Sequence, residues 1–383
     1  MSGTSLDGVD AVLVDFQTDA TPRVLGHHFL PFPSDFKLEL LALNQGCSDE
    51  LHRSALAANQ VSRLYAECTL ALLKSSQHTP EQINALGAHG QTVRHQPAQH
   101  DAWGYTTQLL NPALLAELTQ IDVVSDFRAR DVASGGQGAP LVPAFHQAIF
   151  TQATHAVAVF NLGGMSNVSW LPPAQKHEDL QGFDCGPGNV LMDLWCKRHL
   201  GEDFDRNGAW SQQGHVNAEL LHDFLQEPFF KQAPPKSTGR DLFHSLWLDE
   251  QLNRFWTQSG STLKNEDIQA TLCALTAEAC LQSLNWIQAQ TPHEPLGLGD
   301  VVLCGGGALN HALVTEFESR IRQKWPHQPI RLLTTNDLGW PVDQIEASAF
   351  AWLAKQHVLR GFGNVPKVTG ANGHRVLGSL TPA

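Results

Sequence analysis

One local design occurs twice in this chain, and that repetition limits the possible folds more than any other feature. Near the start, Gly3-Thr4-Ser5-Leu6-Asp7-Gly8-Val9-Asp10 gathers glycines, hydroxyls and carboxylates, and Ala11–Phe16 follows with the pattern of a buried strand. In the middle, the strand-like run His155–Leu162 meets Gly163-Gly164, and an apolar pattern resumes over Met165–Leu171. A hairpin with a glycine-bearing polar tip therefore opens each half of the chain. Backbone N–H groups and hydroxyls in such tips suit phosphate oxygens, while carboxylates beside them suit a hydrated magnesium ion. A third cluster, Gly305-Gly306-Gly307, lies between the strand-like Asp300–Cys304 and a candidate helix start at Ala308–His311. Strand, bare backbone and helix in that order let a nucleotide lie against the chain.

The densest chemistry is in Gly182-Phe183-Asp184-Cys185-Gly186-Pro187-Gly188-Asn189. It reads as a glycine-rich turn that presents one carboxylate, with a helix expected to start at Asn189 or soon after. A lone Asp in a turn is ordinary, but in company with three glycine clusters Asp184 reads as a base held beside a substrate. Two further segments, Ala88–Pro97 and Asp126–Pro140, read as loops rich in amide, imidazole, guanidinium and carboxylate groups, suited to a small polar ligand. The P-loop signature is absent. Lys236-Ser237-Thr238 has its last letters, but Pro235 stands where a glycine is needed. Pro234–Arg240 reads instead as a stiff surface loop, its two cations remaining candidates for a phosphate contact.

With 383 residues, 42% of them hydrophobic, the chain is long enough for two domains with real cores. Its net charge of −13 argues against nucleic acid as the main partner, because a phosphate backbone needs a cationic face. It does not argue against ATP, whose charge is handled locally by magnesium and backbone amides. No apolar run reaches the roughly 20 residues of a membrane span, and the start lacks the pattern of a signal peptide. The seven scattered cysteines contain no C-x-x-C and read as reduced thiols of a cytoplasmic protein, and the 19 histidines form no metal-binding helical pair. Apolar spacing predicts helices over 51–75, 113–118, 190–200, 267–289 and 345–354, and strands over 11–16, 85–88, 123–124, 156–162, 301–304 and 330–333. Alternating strands and helices predict an α/β protein. The boundary is placed near Thr154, giving lobes 1–154 and 155–383, with the last helix of the second a candidate to pack on the first.

These motifs, in this order, resemble the anhydro-N-acetylmuramic acid kinase family along practically the whole chain. The resemblance is carried by the opening M-S-G-T-S-L-D-G-V-D-A, by H-G-Q-T-V at His89–Val93 and by D-F-R-A-R-D-V-A-S-G-G-Q-G-A-P-L at Asp126–Leu141. It continues through N-L-G-G-M-S-N at Asn161–Asn167, G-F-D-C-G-P-G-N-V-L-M-D at Gly182–Asp193, P-P-K-S-T-G-R at Pro234–Arg240, C-G-G-G-A-L-N at Cys304–Asn310 and E-A-S-A-F-A at Glu346–Ala351. The fold it implies is a two-lobed actin-like, ribonuclease-H-like ATPase with duplicated mixed sheets and an ATP cleft between them. The reaction it implies consumes ATP, with Mg2+, to turn 1,6-anhydro-N-acetylmuramic acid and water into N-acetylmuramic acid 6-phosphate during cell-wall recycling. A kinase of another amino sugar and a non-catalytic ATP-dependent sugar sensor are the alternatives.

By position-matching, the resemblance implies Asp184 as the catalytic base. Gly3, Thr4, Ser5, Leu6, Asp7, Gly8, Val9 and Asp10, with Gly163, Gly164 and Gly186, would cradle phosphates, and Gly305, Gly306 and Gly307 would flank the adenosine. His89, Arg128 and Glu346 would line the sugar pocket, Arg130 competes with Arg128 for the lactyl carboxylate, and Asp7 would hold magnesium through water. The resemblance also suggests a homodimer. Two departures stand out: Cys185 replaces the family's usual threonine, putting a phosphate contact there in doubt, and only Met1 and Ser2 precede the first hairpin tip, so its first strand is expected to be incomplete.

Overall fold

In the computed structural model, which describes residues 1–3, 6–16, 22–176, 179–289 and 296–383, the chain forms two units. One is Met1–Phe145 with Gln344–Ala383, the other His146–Asp343. The first begins with an antiparallel hairpin of β1 (Gly8–Asp15) and β2 (Arg23–Pro31). Helix α1 (Ser34–Gln45) leads to the long α2 (Glu50–Ser75), whose buried Ala57, Val61, Leu64, Tyr65, Cys68 and Leu72 recur at helical spacing and so share one face. Next come β3 (Leu86–Ala88), a hairpin of β4 (Gln91–Pro97) and β5 (Gly104–Leu109), helix α3 (Pro112–Thr119), β6 (Val123–Ser125) and the short α4 (Ala129–Ala133). Asn111 starts α3 by accepting the Leu114 N–H at 3.1 Å, and Pro112 at the first helical position costs no hydrogen bond. The division between the units falls inside α5 (Val142–Phe150).

The second unit is built on a five-stranded sheet. Its strands are β7 (Ala156–Leu162), β8 (Met165–Leu171), β9 (Gln181–Pro187), β10 (Leu298–Cys304) and β11 (Arg331–Thr334), in the order β11-β10-β7-β8-β9. β8 runs antiparallel to both neighbours, while β10 and β11 run parallel to β7. Counted along the chain this is the order 3-2-1-4-5 with the second strand reversed, which is the ribonuclease-H-like arrangement. The near-continuous apolar run of β7 suits a central strand covered on both faces. Around the sheet lie α6 (Val190–Leu200), α7 (Ala218–Phe224), α8 (Ser245–Ser259), α9 (Asn265–Gln288) and α10 (His311–Lys324). α9 packs on β8 and β9 and is buried through most of its length.

The chain then returns to the first unit with α11 (Ile345–Val358), α12 (Pro366–Thr369) and β12 (Ser379–Thr381). β12 and β3 flank β6, antiparallel and parallel respectively, and α11 packs against β1 and β3.

Three sequence expectations differ from what is found. The boundary expected near Thr154 lies inside the second unit, and residues 344–383 belong to the first. Gly182–Asn189 is not a turn throughout: Asp184 sits on β9, and the turn begins only at Gly188. Ala88–Pro97 is largely strand β4.

Candidate active site

In the second unit, three backbone segments converge. The Gly163-Gly164 tip of the β7–β8 hairpin accepts N–H groups from the turn after β9: Gly188 to Gly164 at 2.9 Å, Asn189 to Gly163 at 2.8 Å. The Asn189 side chain donates to the Leu162 carbonyl at 2.9 Å, and Gly305 donates to the Val342 carbonyl at 2.8 Å. Two glycines make this closeness possible. A Cβ on Gly188 would stand 2.2 Å from the Gly163 oxygen, and one on Gly307 2.6 Å from the Leu162 Cβ. By contrast, a Cβ on Gly164 would meet nothing within 4 Å, and one on Gly306 only the Asn189 amide at 3.8 Å. Packed glycines thus hold the turns together beneath a bare, open backbone ridge, which brings Gly163, Gly164, Gly305, Gly306 and Gly307 to one place. After the ridge, Asn310 starts α10 by accepting the Leu313 N–H at 3.1 Å.

Asp184 lies on β9, two residues before Gly186, and is partly buried. β9 is an edge of the sheet, and the Pro234–Arg240 segment covers that edge. The Asp184 N–H donates to the Lys236 carbonyl at 3.2 Å, and the Thr238 N–H donates to Asp184 Oδ2 at 2.9 Å. Burial raises the Asp184 carboxyl to about 6, against the opposing pull of the Thr238 N–H and the Lys236 charge. The Lys236 ammonium is 4.5 Å from the centre of the Phe229 ring and donates to the Phe229 carbonyl at 3.3 Å; burial lowers its pKa. The carboxylate is therefore aimed by a backbone donor and made more basic by partial desolvation, as a proton acceptor at neutral pH requires. Cys185, the next residue, points the other way: it is buried and donates to Ser283 Oγ at 3.4 Å. Burial pushes its thiol well up, so it remains a neutral core group.

In the first unit, His89 and Arg128 meet. His89 is buried, its Nδ1 bonds the Gly90 carbonyl at 2.8 Å, and its Nε2 accepts from Arg128 Nε at 2.9 Å. With one nitrogen donating and the other accepting, the imidazole is neutral; burial and the Arg128 charge both hold its pKa well down. Arg128 Nη1 donates to the Gly138 carbonyl at 2.7 Å, and burial lowers the guanidinium to about 10 while the Glu346 charge acts to raise it. Glu346 is exposed in the first turn of α11. Arg130 is exposed on α4. Asp131 is fully buried and accepts from the Gly138 N–H, the Asn364 amide and the Thr369 hydroxyl at 2.7–2.8 Å, so it ties the Asp126–Pro140 loop into the core.

The residues of the first tip are divided. Thr4 and Ser5 lie outside the described residues. Leu6 and Val9 are buried in the core, and a Cβ on Gly8 would stand 2.3 Å from the Leu30 oxygen, so Gly8 serves the close pairing of β1 with β2. Asp10 pairs with His27 at 3.1 Å, Gly3 accepts from the Gln91 amide at 3.2 Å, and Asp7 is exposed. Among the described residues no three His, Cys, Asp or Glu side chains gather as a metal site. Sequence reading missed the part played by Lys236 and Thr238, because no local pattern shows that their segment pairs with a strand some fifty residues earlier.

The family model for anhydro-N-acetylmuramic acid kinase matches residues 1–383. A kinase of that name from Cupriavidus metallidurans is 49% identical over 100% of this chain and 96% of its own length. Another, from Albidiferax ferrireducens, is 48% identical over 100% of this chain and 98% of its own. Among solved structures, the activator of the 2-hydroxyisocaproyl-CoA dehydratase from Clostridium difficile aligns over 92% of this chain and 98% of its own, at 10% identity and a TM-score of 0.41.

Proposed function

The chain belongs to the anhydro-N-acetylmuramic acid kinase family, and we propose that it carries out the ATP-dependent opening of 1,6-anhydro-N-acetylmuramic acid with Asp184 as the base. The observation that carries this reading is the partly desolvated Asp184 carboxylate, aimed by the Thr238 N–H on a strand that runs into the glycine ridge. Asp184 takes a proton from water as the water oxygen bonds to the anomeric carbon. The bond from that carbon to O6 breaks, and O6 bonds to the γ-phosphorus of ATP as the bond to ADP breaks. The proton on Asp184 then passes to solvent, and the products are N-acetylmuramic acid 6-phosphate and ADP. A glycosidase needs a second carboxyl group to protonate the leaving oxygen; here phosphorus captures that oxygen, so one carboxylate suffices.

The open ridge at Gly163, Gly164 and Gly306, with Gly305 packed against Asn161 and Leu162 at its base, suits the nucleotide, since bare backbone admits close approach by phosphate and ribose. Gly186 belongs to the same proposal, as do the backbone groups of the first tip, Gly3 to Asp10. Magnesium, when bound with the nucleotide, would neutralise phosphate charge; the single exposed carboxylate of Asp7 fits an ion that keeps most of its waters. His89 holds Arg128, and the Arg128 guanidinium, with Glu346 nearby in charge, is assigned to the lactyl carboxylate and hydroxyls of the sugar. The cytoplasmic location is supported by seven free cysteines. Among the described residues no helix is long and apolar enough to cross a membrane. A homodimer belongs to the same reading and is decided by sedimentation velocity.

ADP release measured with the anhydro sugar, with N-acetylglucosamine and with no sugar tests the reading. Turnover with the anhydro sugar alone, in water enriched in heavy oxygen, should place that oxygen on the anomeric carbon and none in the phosphate. Turnover with N-acetylglucosamine only, or binding of ATP without turnover, would replace it by another kinase or by a sensor.

A further inference from the structure

The glycine ridge runs into the start of α10, and another part of the second unit packs there. Asp205 is buried and accepts from the Trp210 N–H at 2.9 Å and from the Ser211 N–H and hydroxyl at 2.8 and 2.6 Å, so the turn between them is held from inside. Within that turn two residues in succession are left-handed, Asn207 at φ 56° and Gly208 at φ 69°. Gly208 lies against the start of α10: a Cβ there would stand 2.2 Å from Asn310 Oδ1 and 2.6 Å from the Ala312 Cβ. Asn310 is the residue that caps α10, soon after Gly307.

Two side chains of different character adjoin that contact. Leu309, between the ridge and Asn310, is 49% exposed. Asn207, next to Gly208, is exposed, and among the described residues its amide has no hydrogen-bond partner. Arg206 is engaged elsewhere, its guanidinium 5.1 Å from the centre of the Phe204 ring. The left-handed backbone at position 207 suits Asn, but Gly would adopt it with less strain. The amide is what Asn adds. A phosphate at this end of the ridge would call for a cation, and a sugar for several polar groups. One apolar side chain beside one amide suits the face and the edge of a heteroaromatic base.

We infer that Leu309 and Asn207 form the base-recognition end of the nucleotide site, Leu309 against the face of the purine and the Asn207 amide at its edge. This rests on the assignment of the ridge to ATP and deepens it by naming what selects the base. Adenine presents an amino donor at N6 beside the acceptor N7, which a carboxamide matches with Oδ1 accepting and Nδ2 donating. A 6-oxo purine presents two acceptors at the same edge, so Oδ1 is left facing one of them. The Gly208 contact and the Asp205 bonds fix the turn before a ligand arrives, so little ordering entropy is lost on binding.

The test is titration calorimetry of the full chain with ATP and with ITP, its 6-oxo counterpart, in the presence of Mg2+ and without sugar. The wild type should bind ATP about tenfold to a hundredfold more tightly than ITP. Asn207→Gly keeps the left-handed backbone and removes the amide. Its two dissociation constants should lie within about threefold of each other, chiefly through weaker binding of ATP. Leu309→Ser should weaken both nucleotides alike and leave their ratio unchanged. Equal affinities in the wild type, a ratio that survives in Asn207→Gly, or full affinity in Leu309→Ser would overturn the inference, while ATP binding by itself upheld the ridge. Failure of the wild type to bind either nucleotide would instead refute the ridge assignment, and the inference with it.

Discussion

Replacing Asp184 by Asn should abolish turnover and at the same time make the protein more stable at neutral pH. Burial raises the folded-state pKa from the ordinary 3.8 to about 6, a change of about two units, each worth about 1.4 kcal/mol. A group whose folded pKa is raised contributes fully below its unfolded pKa, and that contribution is lost as pH rises through the folded value. Above about 6 the wild type therefore holds an ionised carboxylate in a place that prefers it neutral. Allowing for solvent at the open side of this partly buried group, the cost is about 1–3 kcal/mol. Asn carries no charge and can still accept the Thr238 N–H, so it avoids that cost. At pH 7.5 its melting temperature should be higher by roughly 2–12 °C, at about 2–4 °C per kcal/mol. As pH falls from about 6 to about 4 the wild type should close the gap, because its carboxyl becomes neutral in the folded state. Calorimetric melts of both proteins at closely spaced pH values, with and without ATP, provide the readout. If the Asn protein is equally or less stable at pH 7.5, or if its advantage persists unchanged at pH 4, Asp184 is not held in a desolvating site and its role as a tuned base fails.

Two further substitutions probe the same neighbourhood. Lys236→Met keeps the hydrocarbon stem against Phe229 but removes the charge that lowers the Asp184 pKa, so the acid limb of kcat should move up from about 6 by about half a unit or more; a pH–rate profile with an unmoved limb would reject the coupling. Gly188→Ala forces a Cβ to 2.2 Å from the Gly163 oxygen and should lower the melting temperature, whereas Gly164→Ala meets no neighbour, should leave stability unchanged and should raise the KM for ATP. Equal melting temperatures for the two, or an unaltered KM in Gly164→Ala, would separate the ridge from nucleotide binding.

Much of the framework is legible in the residues because it rests on local periodicity. The helices expected over 51–75 and 190–200 are found at Glu50–Ser75 and Val190–Leu200, and the strand over 156–162 at Ala156–Leu162. β2 was not anticipated: Arg23–Pro31 carries His27 and His28 mid-strand, and its weak alternation reflects a strand that is only half-buried. β9 is disguised by the glycines that read as a turn. Gly186 instead makes room for the Phe230 ring, and Gly188 for the Gly163 backbone. The chain's return to the first unit is not encoded locally at all. α11 is apolar on nearly every face, which predicts burial but not the strands it is buried against. At the candidate site, the Asp184 motif could be picked out because its composition is unusual. The backbone donor that aims it could not, since any residue at position 238 except proline supplies an N–H.

The knot around Asp131 bears on the order in which the molecule can assemble during synthesis. Its Oδ1 gains its partners only when Asn364 and Thr369 arrive, so the first unit cannot finish until those residues have left the ribosome. The second unit, His146–Asp343, is contiguous and needs nothing downstream. At the usual pace of about 5–20 residues per second, the interval between Asp131 and Thr369 is roughly 10–50 s. For that time the nascent amino-terminal portion waits unfinished, while the later-made middle segment matures ahead of it.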